Sequence, residues 1–259
     1  MYYFKKILTK ILHSKGYSIS RYPSTSVEED VLTVNGTSTE KFVYQILSLH
    51  KYAPWLTDEK FLQIYKKIEG YTLVDVYRCY ELFDLVKRLE KIEGDILEIG
   101  VWRGGTSAVM ATALKSIDSA KSLYLCDTFS GVVKAGEFDL RYTGGEHSDT
   151  SDQLVNELLV SLQLENFTLL KGMFPEETGS AIENKTFSLC HIDVDVYQSG
   201  VDIVEWVYPK LSEGGAIVFD DYGFRGCSGI TYLVNTLKED IDKWLFIYNL
   251  NGHAILIKR

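Results

Sequence analysis

The chain has 259 residues, of which 46% are hydrophobic and 24% charged, a composition typical of globular proteins and not of disordered ones. Its 27 basic and 36 acidic residues give a net charge of -9, and a negative surface argues against nucleic acid as the partner. The four cysteines lack metal-ligand or redox spacing and no apolar run reaches the length of a membrane span, so we expect a cytoplasmic protein with reduced thiols.

The first 17 residues predict a basic amphipathic helix. Its apolar residues, which fall on one helical face, are Phe4, Ile7, Leu8, Ile11 and Leu12. Lysines interrupt the apolar run, which excludes a signal peptide because that needs a continuous hydrophobic core. The helix either lies on a membrane surface or packs against its own chain or a second subunit, and packing is favoured.

Two further helical patterns, at residues 39–54 and 77–94, are separated by turn-rich stretches. Residues 1–93 lack the alternation of strands and helices that follows them. We therefore predict a helical cap or oligomerisation extension over 1–93, and we expect the protein to be a homo-oligomer.

From residue 94 onward, short apolar runs alternate with amphipathic helical patterns. The predicted strands are residues 95–100, 122–127, 167–172, 187–193 and 215–221. This alternation predicts an α/β domain over 94–259 with a mostly parallel sheet covered on both faces. The last 16 residues, 244–259, predict an antiparallel C-terminal hairpin around Asn251 and Gly252.

A glycine-rich turn, LEIGVWRGGTS, follows the first strand. Such a turn before a helix lets a ligand approach the backbone. Trp102 stands where a dinucleotide site needs glycine, whereas the spacing of Glu98, Gly100 and Gly104 suits S-adenosylmethionine, with Glu98 helping to hold its ammonium group. Asp127 ends the second strand, where a carboxylate binds ribose hydroxyls. We predict that these five residues bind the cofactor, and the alternative is a tight strand–helix junction without a ligand.

Four aspartates follow two successive strands. Asp193 and Asp195 can share a face if their strand continues past residue 193, and Asp220 and Asp221 end the next strand. Neighbouring strands lie about 5 Å apart, and ligands bind at this edge of such sheets. Converging carboxylates need a cation, most simply Mg²⁺. The alternative is a set of helix caps and solvated strand ends.

A metal beside a cofactor turn suits the methylation of a hydroxyl group. Metal coordination makes an alcohol oxygen more acidic, and a nearby carboxylate can take its proton. The residues by themselves therefore favour metal-assisted O-methylation.

An ordered set of motifs over residues 94–235 resembles the macrocin O-methyltransferase family. The motifs are, in chain order, DILEIGVWRGGTS, LCDTFSG, HIDVDVYQS, YPKLSEGGAIVFDDYG and the nearby Cys227. The members of this family are metal-dependent sugar O-methyltransferases with a Rossmann-like fold. The resemblance implies Mg²⁺ ligation by Asp193, Asp220 and Asp221, with Asp195 as general base and cofactor contacts from Glu98, Gly100 and Asp127. Val194 stands where the family has glycine. The first ninety residues match the family poorly, so no substrate contact is transferred from them.

The segment 130–151, named here the 130–151 loop, is long for a connection and is either a lid over the site or a surface loop without a role. Arg141, Glu146 and His147 offer polar contacts to an acceptor. His147 is the alternative to Asp195 as the base because its usual pKa is near neutral.

The sequence is compatible with two other functions. Asp-x-Asp also holds the metal and nucleotide-sugar of many glycosyltransferases, but that reading leaves the glycine turn unexplained. A non-catalytic cofactor-binding module is disfavoured by the four intact aspartates. The main hypothesis is an S-adenosylmethionine- and Mg²⁺-dependent O-methyltransferase acting on a hydroxyl of a sugar or similar small molecule.

Overall fold

The computed structural model describes residues 52–224, 226–249 and 251–259, together with the backbone of two short strands. Those strands, Thr33–Val34 and Thr37–Ser38, pair antiparallel within a unit that spans residues 1–49. The helix predicted at 1–17 and most of the one predicted at 39–54 lie outside the described residues.

A seven-stranded sheet forms the centre of the second compact unit, residues 50–259. Its strands are β1 (Asp95–Ile99), β2 (Leu123–Asp127), β3 (Phe167–Lys171), β4 (Phe187–Ile192), β5 (Leu211–Phe219), β6 (Trp244–Tyr248) and β7 (Ala254–Lys258). They lie in the order β3-β2-β1-β4-β5-β7-β6. The first five run parallel, and β7 pairs antiparallel with both β5 and β6. The predicted parallel sheet with its antiparallel hairpin is confirmed.

Within the described residues, six α-helices cover the two faces of the sheet. They are α1 (Glu59–Lys67), α2 (Val76–Arg88), α3 (Gly105–Ser116), α4 (Asp152–Ser161), α5 (Tyr197–Val207) and α6 (Ser228–Leu237). Helices α1 to α4 contribute to the core on one face, and α5 and α6 to the core on the other. Asp58, Asp75 and Ser151 cap α1, α2 and α4 by accepting hydrogen bonds from backbone N–H groups of the first turn.

Alternate residues of β1, β2, β4, β5 and β7 enter the two cores, whereas the edge strand β6 contributes to one core only. Ile96 and Leu189 belong to the core beneath α1 to α4, whereas Leu97 and Cys190 belong to the core beneath α5 and α6. A strand buried on both faces is apolar throughout, which explains why the sequence shows continuous apolar runs.

Each of the five predicted strands differs from the observed strand by at least one residue, β5 and β4 among them. β5 begins at Leu211 and not at residue 215, and its pairing with β4 shifts register between Phe187 and Leu189. β4 ends at Ile192, and the chain turns at Asp195, whose φ of +65° lies outside the strand region. The condition for Asp193 and Asp195 to share a strand face is therefore not met.

Helices α1 and α2 belong to the same compact unit as the sheet. The helical cap or oligomerisation extension over 1–93 stays a prediction. None of the described helices has both the length and the apolar character that crossing a membrane requires.

Candidate active site

A cleft of about 320 Å³ opens at the carboxyl ends of the parallel strands. It is bordered by the turn after β1, by the 130–151 loop and by the segment 71–74 before α2. The predicted site residues that line it are Gly100, Trp102, Asp127, Asp193, Asp195, Asp220 and Asp221. The structure therefore brings the predicted cofactor turn and all four aspartates into one cleft.

Glycines shape the turn after β1. Gly100 has a φ of +87°, and a Cβ atom there would lie 1.7 Å from the carbonyl oxygen of Asp193. Gly104 has a φ of +83° immediately before α3, and a Cβ atom there would lie 2.9 Å from Val155 Cγ1. Both positions require glycine because of backbone conformation and close approach. The contact at Gly100 also places the cofactor turn directly against the segment that carries the aspartates.

Asp127 organises the same turn through its carboxylate. Its Oδ2 accepts hydrogen bonds from the backbone N–H groups of Val101 (2.7 Å) and Trp102 (2.8 Å), and its Oδ1 accepts one from Phe129 (2.6 Å). A carboxylate has about four acceptor positions, so one remains for a ribose hydroxyl. The indole Nε1 of Trp102 donates to Asp149 at 2.9 Å, which turns this side chain toward the 130–151 loop.

Glu98 lies beneath the cleft and does not line it. The side chain is fully buried, accepts a hydrogen bond from the Ser107 hydroxyl, and lies 3.0 Å from Nδ1 of His191. In this structure it fixes the first helical turns of α3 to β1 and β4. The contact of Glu98 with the ammonium group of the cofactor stays a prediction.

Three carboxylates form a compact oxygen cluster. Asp193, Asp220 and Asp221 each present one oxygen, and these atoms lie within 4.8 Å of one another. Carboxylate oxygens are the ligands that Mg²⁺ prefers, with water completing its octahedral shell. The donor set therefore fits Mg²⁺.

The electrostatics of the cluster also suit a divalent cation. Burial and the neighbouring charge of Asp220 raise the pKa of Asp193 well above its usual value and raise that of Asp221 to about 8. A nearby cation favours the ionised forms and lowers such pKa values. A bound Mg²⁺ would thus lower the pKa values of Asp193 and Asp221.

Arg78 of α2 reaches into this cluster and is a site residue that no sequence motif predicted. Its Nη1 donates to Asp220 and, at 3.4 Å, to Asp221, while its Nε donates to the cap residue Asp75. Burial alone would lower the pKa of Arg78, but the carboxylates outweigh it and raise the pKa. The sequence feature that could have indicated a buried Arg78 is its place on the apolar face of the predicted helix, four residues before Leu82.

A buried histidine supports Asp220 from the other side. His253 lies with Nε2 2.8 Å from Asp220 and Nδ1 2.6 Å from Glu81. Burial alone would lower the pKa of His253, but its hydrogen bonds to these two carboxylates raise it. Both ring nitrogens of His253 therefore lie within hydrogen-bonding distance of carboxylate oxygens, which connects Asp220 to α2 through Glu81. His191, 6.0 Å away between ring centres, has the one buried side-chain nitrogen, Nε2, that lacks a hydrogen-bond partner among the described residues.

Asp195 lies beside the oxygen cluster in a different environment. Its Oδ1 accepts a hydrogen bond from the hydroxyl of Tyr142 at 2.8 Å and lies 3.4 Å from the thiol sulfur of Cys227. One of its oxygens also lies within 4.8 Å of ligand atoms of Asp221 and Cys227. Asp195 is thus adjacent to the proposed metal ligands and faces the cleft.

The polar residues predicted in the 130–151 loop have different positions. His147 lines the cleft, with its ring 6.2 Å from that of Tyr142 and 6.3 Å from that of Trp102. Glu146 instead accepts hydrogen bonds from Thr143 and Gly144 of its own loop. Arg141 packs near Gly226.

Comparison with known proteins agrees with this architecture. A family model described as Macrocin-O-methyltransferase (TylF) matches residues 25–242, which extends further toward the N-terminus than the motifs of residues 94–235. The chain is 28% identical to the Streptomyces olivaceus 8-demethyl-8-(2,3-dimethoxy-alpha-L-rhamnosyl)-tetracenomycin-C 4'-O-methyltransferase over 170 residues, which are 61% of this chain and 65% of that protein. It is 29% identical to the Streptomyces niveus demethyldecarbamoylnovobiocin O-methyltransferase over 204 residues, 73% of each protein.

Solved structures share the fold. The O-methyltransferase NovP superposes with a TM-score of 0.61 at 24% identity, covering 73% of this chain and 82% of NovP. The calicheamicin methyltransferase CalS11 superposes with a TM-score of 0.62 at 15% identity, covering 80% of this chain and 94% of CalS11.

Proposed function

The chain belongs to the macrocin O-methyltransferase family, and from this premise we propose that it methylates a hydroxyl group of a sugar or glycosylated small molecule, using S-adenosylmethionine and Mg²⁺. The observation that carries the proposal is the single cleft that contains both the cofactor turn and the four aspartates. The close approach of Gly100 to Asp193 brings the two parts together.

The proposed acceptor class rests on the relatives. The Streptomyces olivaceus relative acts, by its name, on a rhamnosyl-bearing compound, and the alignment spans 65% of its length, just under two thirds. The substrate of this chain is therefore proposed as a class only, namely a hydroxyl on a sugar or a glycosylated compound.

Each cluster of side chains has a proposed role. The cofactor would bind along the turn at Gly100, Trp102 and Gly104, with Asp127 at its ribose and Glu98 near its ammonium group. Asp193, Asp220 and Asp221 would hold Mg²⁺, which supplies Lewis acidity for the acceptor hydroxyl.

We assign the proton transfer to Asp195. It lies next to Asp221, it lines the cleft, and the hydrogen bonds of Tyr142 and Cys227 both go to one of its oxygens, Oδ1. A base must be within hydrogen-bonding reach of the proton it takes. The contacts described for His147 are with aromatic rings, which favours Asp195 over His147 as the base.

We also propose a cytoplasmic location and self-association. All four cysteines are buried and unpaired, which agrees with a reducing compartment. Self-association is proposed through the predicted helical extension.

The proposal is tested by Asp193→Ala. A metabolite extract from a strain lacking the gene supplies the acceptor pool, and transfer from isotopically labelled S-adenosylmethionine is measured with and without Mg²⁺. Loss of a metal ligand removes several kcal/mol of transition-state stabilisation, so we expect the rate to fall about 1000-fold or more.

Asp118→Asn is the matched control, because Asp118 is exposed in the turn after α3, where its φ of +52° is also tolerated by asparagine. Calorimetry with S-adenosylhomocysteine should show unchanged cofactor binding in both variants. Undiminished methyl transfer by Asp193→Ala would overturn the metal role.

A further inference from the structure

Tyr142 lies on the 130–151 loop, far in sequence from Asp195, and its hydroxyl contacts this proposed base. It donates to Oδ1 of Asp195 at 2.8 Å, and Tyr142 itself lines the cleft. The Cys227 thiol, a weaker donor, contacts the same oxygen. Both of these donors contact Oδ1, and neither contacts Oδ2.

The backbone at Asp195 adopts an uncommon conformation. Its φ is +65°, and Val196 N–H donates to the carbonyl of Val194 at 2.8 Å, which closes a three-residue turn around Asp195. Such turns with positive φ are rare and strained, and they persist where surrounding contacts hold them. The Tyr142 hydrogen bond is one of the contacts that determine where this carboxylate points.

The part of the loop that precedes Tyr142 is itself held firmly. The carboxylate of Asp139 accepts hydrogen bonds from the N–H groups of Gly136 and Tyr197, both at 2.9 Å. The Ser228 hydroxyl donates to the Phe138 carbonyl at 2.7 Å. Tyr197 begins α5 and Ser228 begins α6, so two helices of the domain fix the position from which Tyr142 reaches Asp195.

The phenol remains a hydrogen-bond donor. Burial and the negative charge of Asp195 raise the pKa of Tyr142 above its usual value, so the hydroxyl keeps its proton at neutral pH. A donor that stays protonated can hold a carboxylate in one orientation but cannot serve as a base.

We propose that Tyr142 is a positioning residue, which holds Oδ1 of Asp195 so that Oδ2 faces the hydroxyl of the acceptor. The terminal torsion of an aspartate is soft, with broad wells, so an unrestrained carboxylate samples many orientations. Fixing one oxygen prepares the other for proton transfer. This inference rests on the proposed function, in which Asp195 takes the proton of the acceptor.

The test is Tyr142→Phe, which removes the hydroxyl and keeps the ring. We expect kcat to fall about 10- to 100-fold, a typical effect of losing a group that orients a functional residue, with little change in the acceptor KM. Affinities for S-adenosylhomocysteine and Mg²⁺, measured by calorimetry, should stay at the wild-type values and show that the variant is folded.

Tyr232→Phe is the matched control. Tyr232 stacks on Phe138 of the same loop, is 51% exposed, and its hydroxyl makes no hydrogen bond to any described residue. This variant should keep the wild-type kcat.

A double-variant cycle separates positioning from general loop damage. In an Asp195→Asn background, adding Tyr142→Phe should cause no further loss of kcat, because the group that it positions is already gone. A Tyr142→Phe enzyme with wild-type kcat, or a full additive loss in the double variant, would overturn the role of Tyr142 and leave the proposed function standing. Absence of methyl transfer by both the wild type and Tyr232→Phe would overturn the two together.

Discussion

Among individual residues, Arg78 has the most unexpected position, because it places a positive charge among the proposed metal ligands. The residue is 5% exposed, its side chain contacts Asp220 and Asp221, and its guanidinium carbon lies 4.7 Å from the centre of the Phe224 ring. Buried carboxylates without a counter-ion are costly. Arg78 therefore stabilises the cluster when no metal is bound.

Replacing Arg78 by methionine should destabilise the protein by about 3–5 kcal/mol, the usual cost of leaving a buried charge without its partner. The free energy of unfolding is measured with urea in the presence of a chelator. Added Mg²⁺ should restore part of the loss, because the cation compensates the same carboxylates.

The control for this variant is Arg88→Met, which removes an exposed ion pair with Asp84 in the same helix. Exposed pairs contribute little, so its urea midpoint should match that of the wild type. Equal stability of Arg78→Met and the wild type would contradict the counter-ion role.

At the scale of the element, the turn between β1 and α3 is held by the strands on both sides of β1. Asp127 at the end of β2 accepts hydrogen bonds from Val101 and Trp102, and Gly100 packs on the backbone of Asp193 after β4. The turn thus has little freedom of its own, which prepares it to bind a ligand without a large loss of entropy.

Asp127→Asn tests this arrangement. The three backbone N–H groups at this carboxylate require both of its oxygens, and an asparagine presents an NH₂ group to at least one of them. Losing a hydrogen bond to a charged group costs about 1.5–3 kcal/mol, so we expect S-adenosylhomocysteine to bind about 10- to 100-fold more weakly by calorimetry.

Asp149→Asn is the comparison for that variant. Asp149 contacts the side chains of Trp102 and Arg103 from the exposed side of the turn, and its loss should affect affinity much less. Equal losses in the two variants would contradict a dominant role of the backbone of the turn in cofactor affinity.

In the whole described unit, the cleft joins distant parts of the chain. Its lining runs from Tyr71 before α2 to Phe224 after β5. A ligand that binds there contacts the folded arrangement and not any single segment. Ligand binding should therefore stabilise the unit against global unfolding.

Thermal unfolding of chelator-treated protein measures this effect. Saturation to 100 times the dissociation constant adds about 2.7 kcal/mol for each ligand, so Mg²⁺ and S-adenosylhomocysteine should each raise the melting temperature. In Asp193→Ala the shift with S-adenosylhomocysteine should remain and the shift with Mg²⁺ should disappear. A wild-type melting temperature that is insensitive to Mg²⁺ would contradict a metal site in the cleft.

The sequence by itself determined the succession of strands and helices, the terminal hairpin and the glycine turn after β1. These features follow from local patterns: apolar runs make strands that are buried on both faces, and Gly100 and Gly104 permit backbone conformations that other residues rarely adopt. The convergence of Asp193 with Asp220 and Asp221 was also predictable, because parallel strands place their carboxyl ends at one edge.

Only the tertiary structure decided what surrounds those carboxylates. Asp220 contacts Arg78 and His253, and His253 in turn contacts Glu81. These three residues lie far from Asp220 in the sequence, and the packing of α2 and β7 brings them together around it. The hydrogen bond of 2.8 Å between the Tyr142 hydroxyl and Asp195 likewise joins residues that are more than fifty positions apart in the sequence. Local patterns record which faces are buried, whereas the partner of a buried charge is set by long-range packing, which no short stretch of sequence encodes.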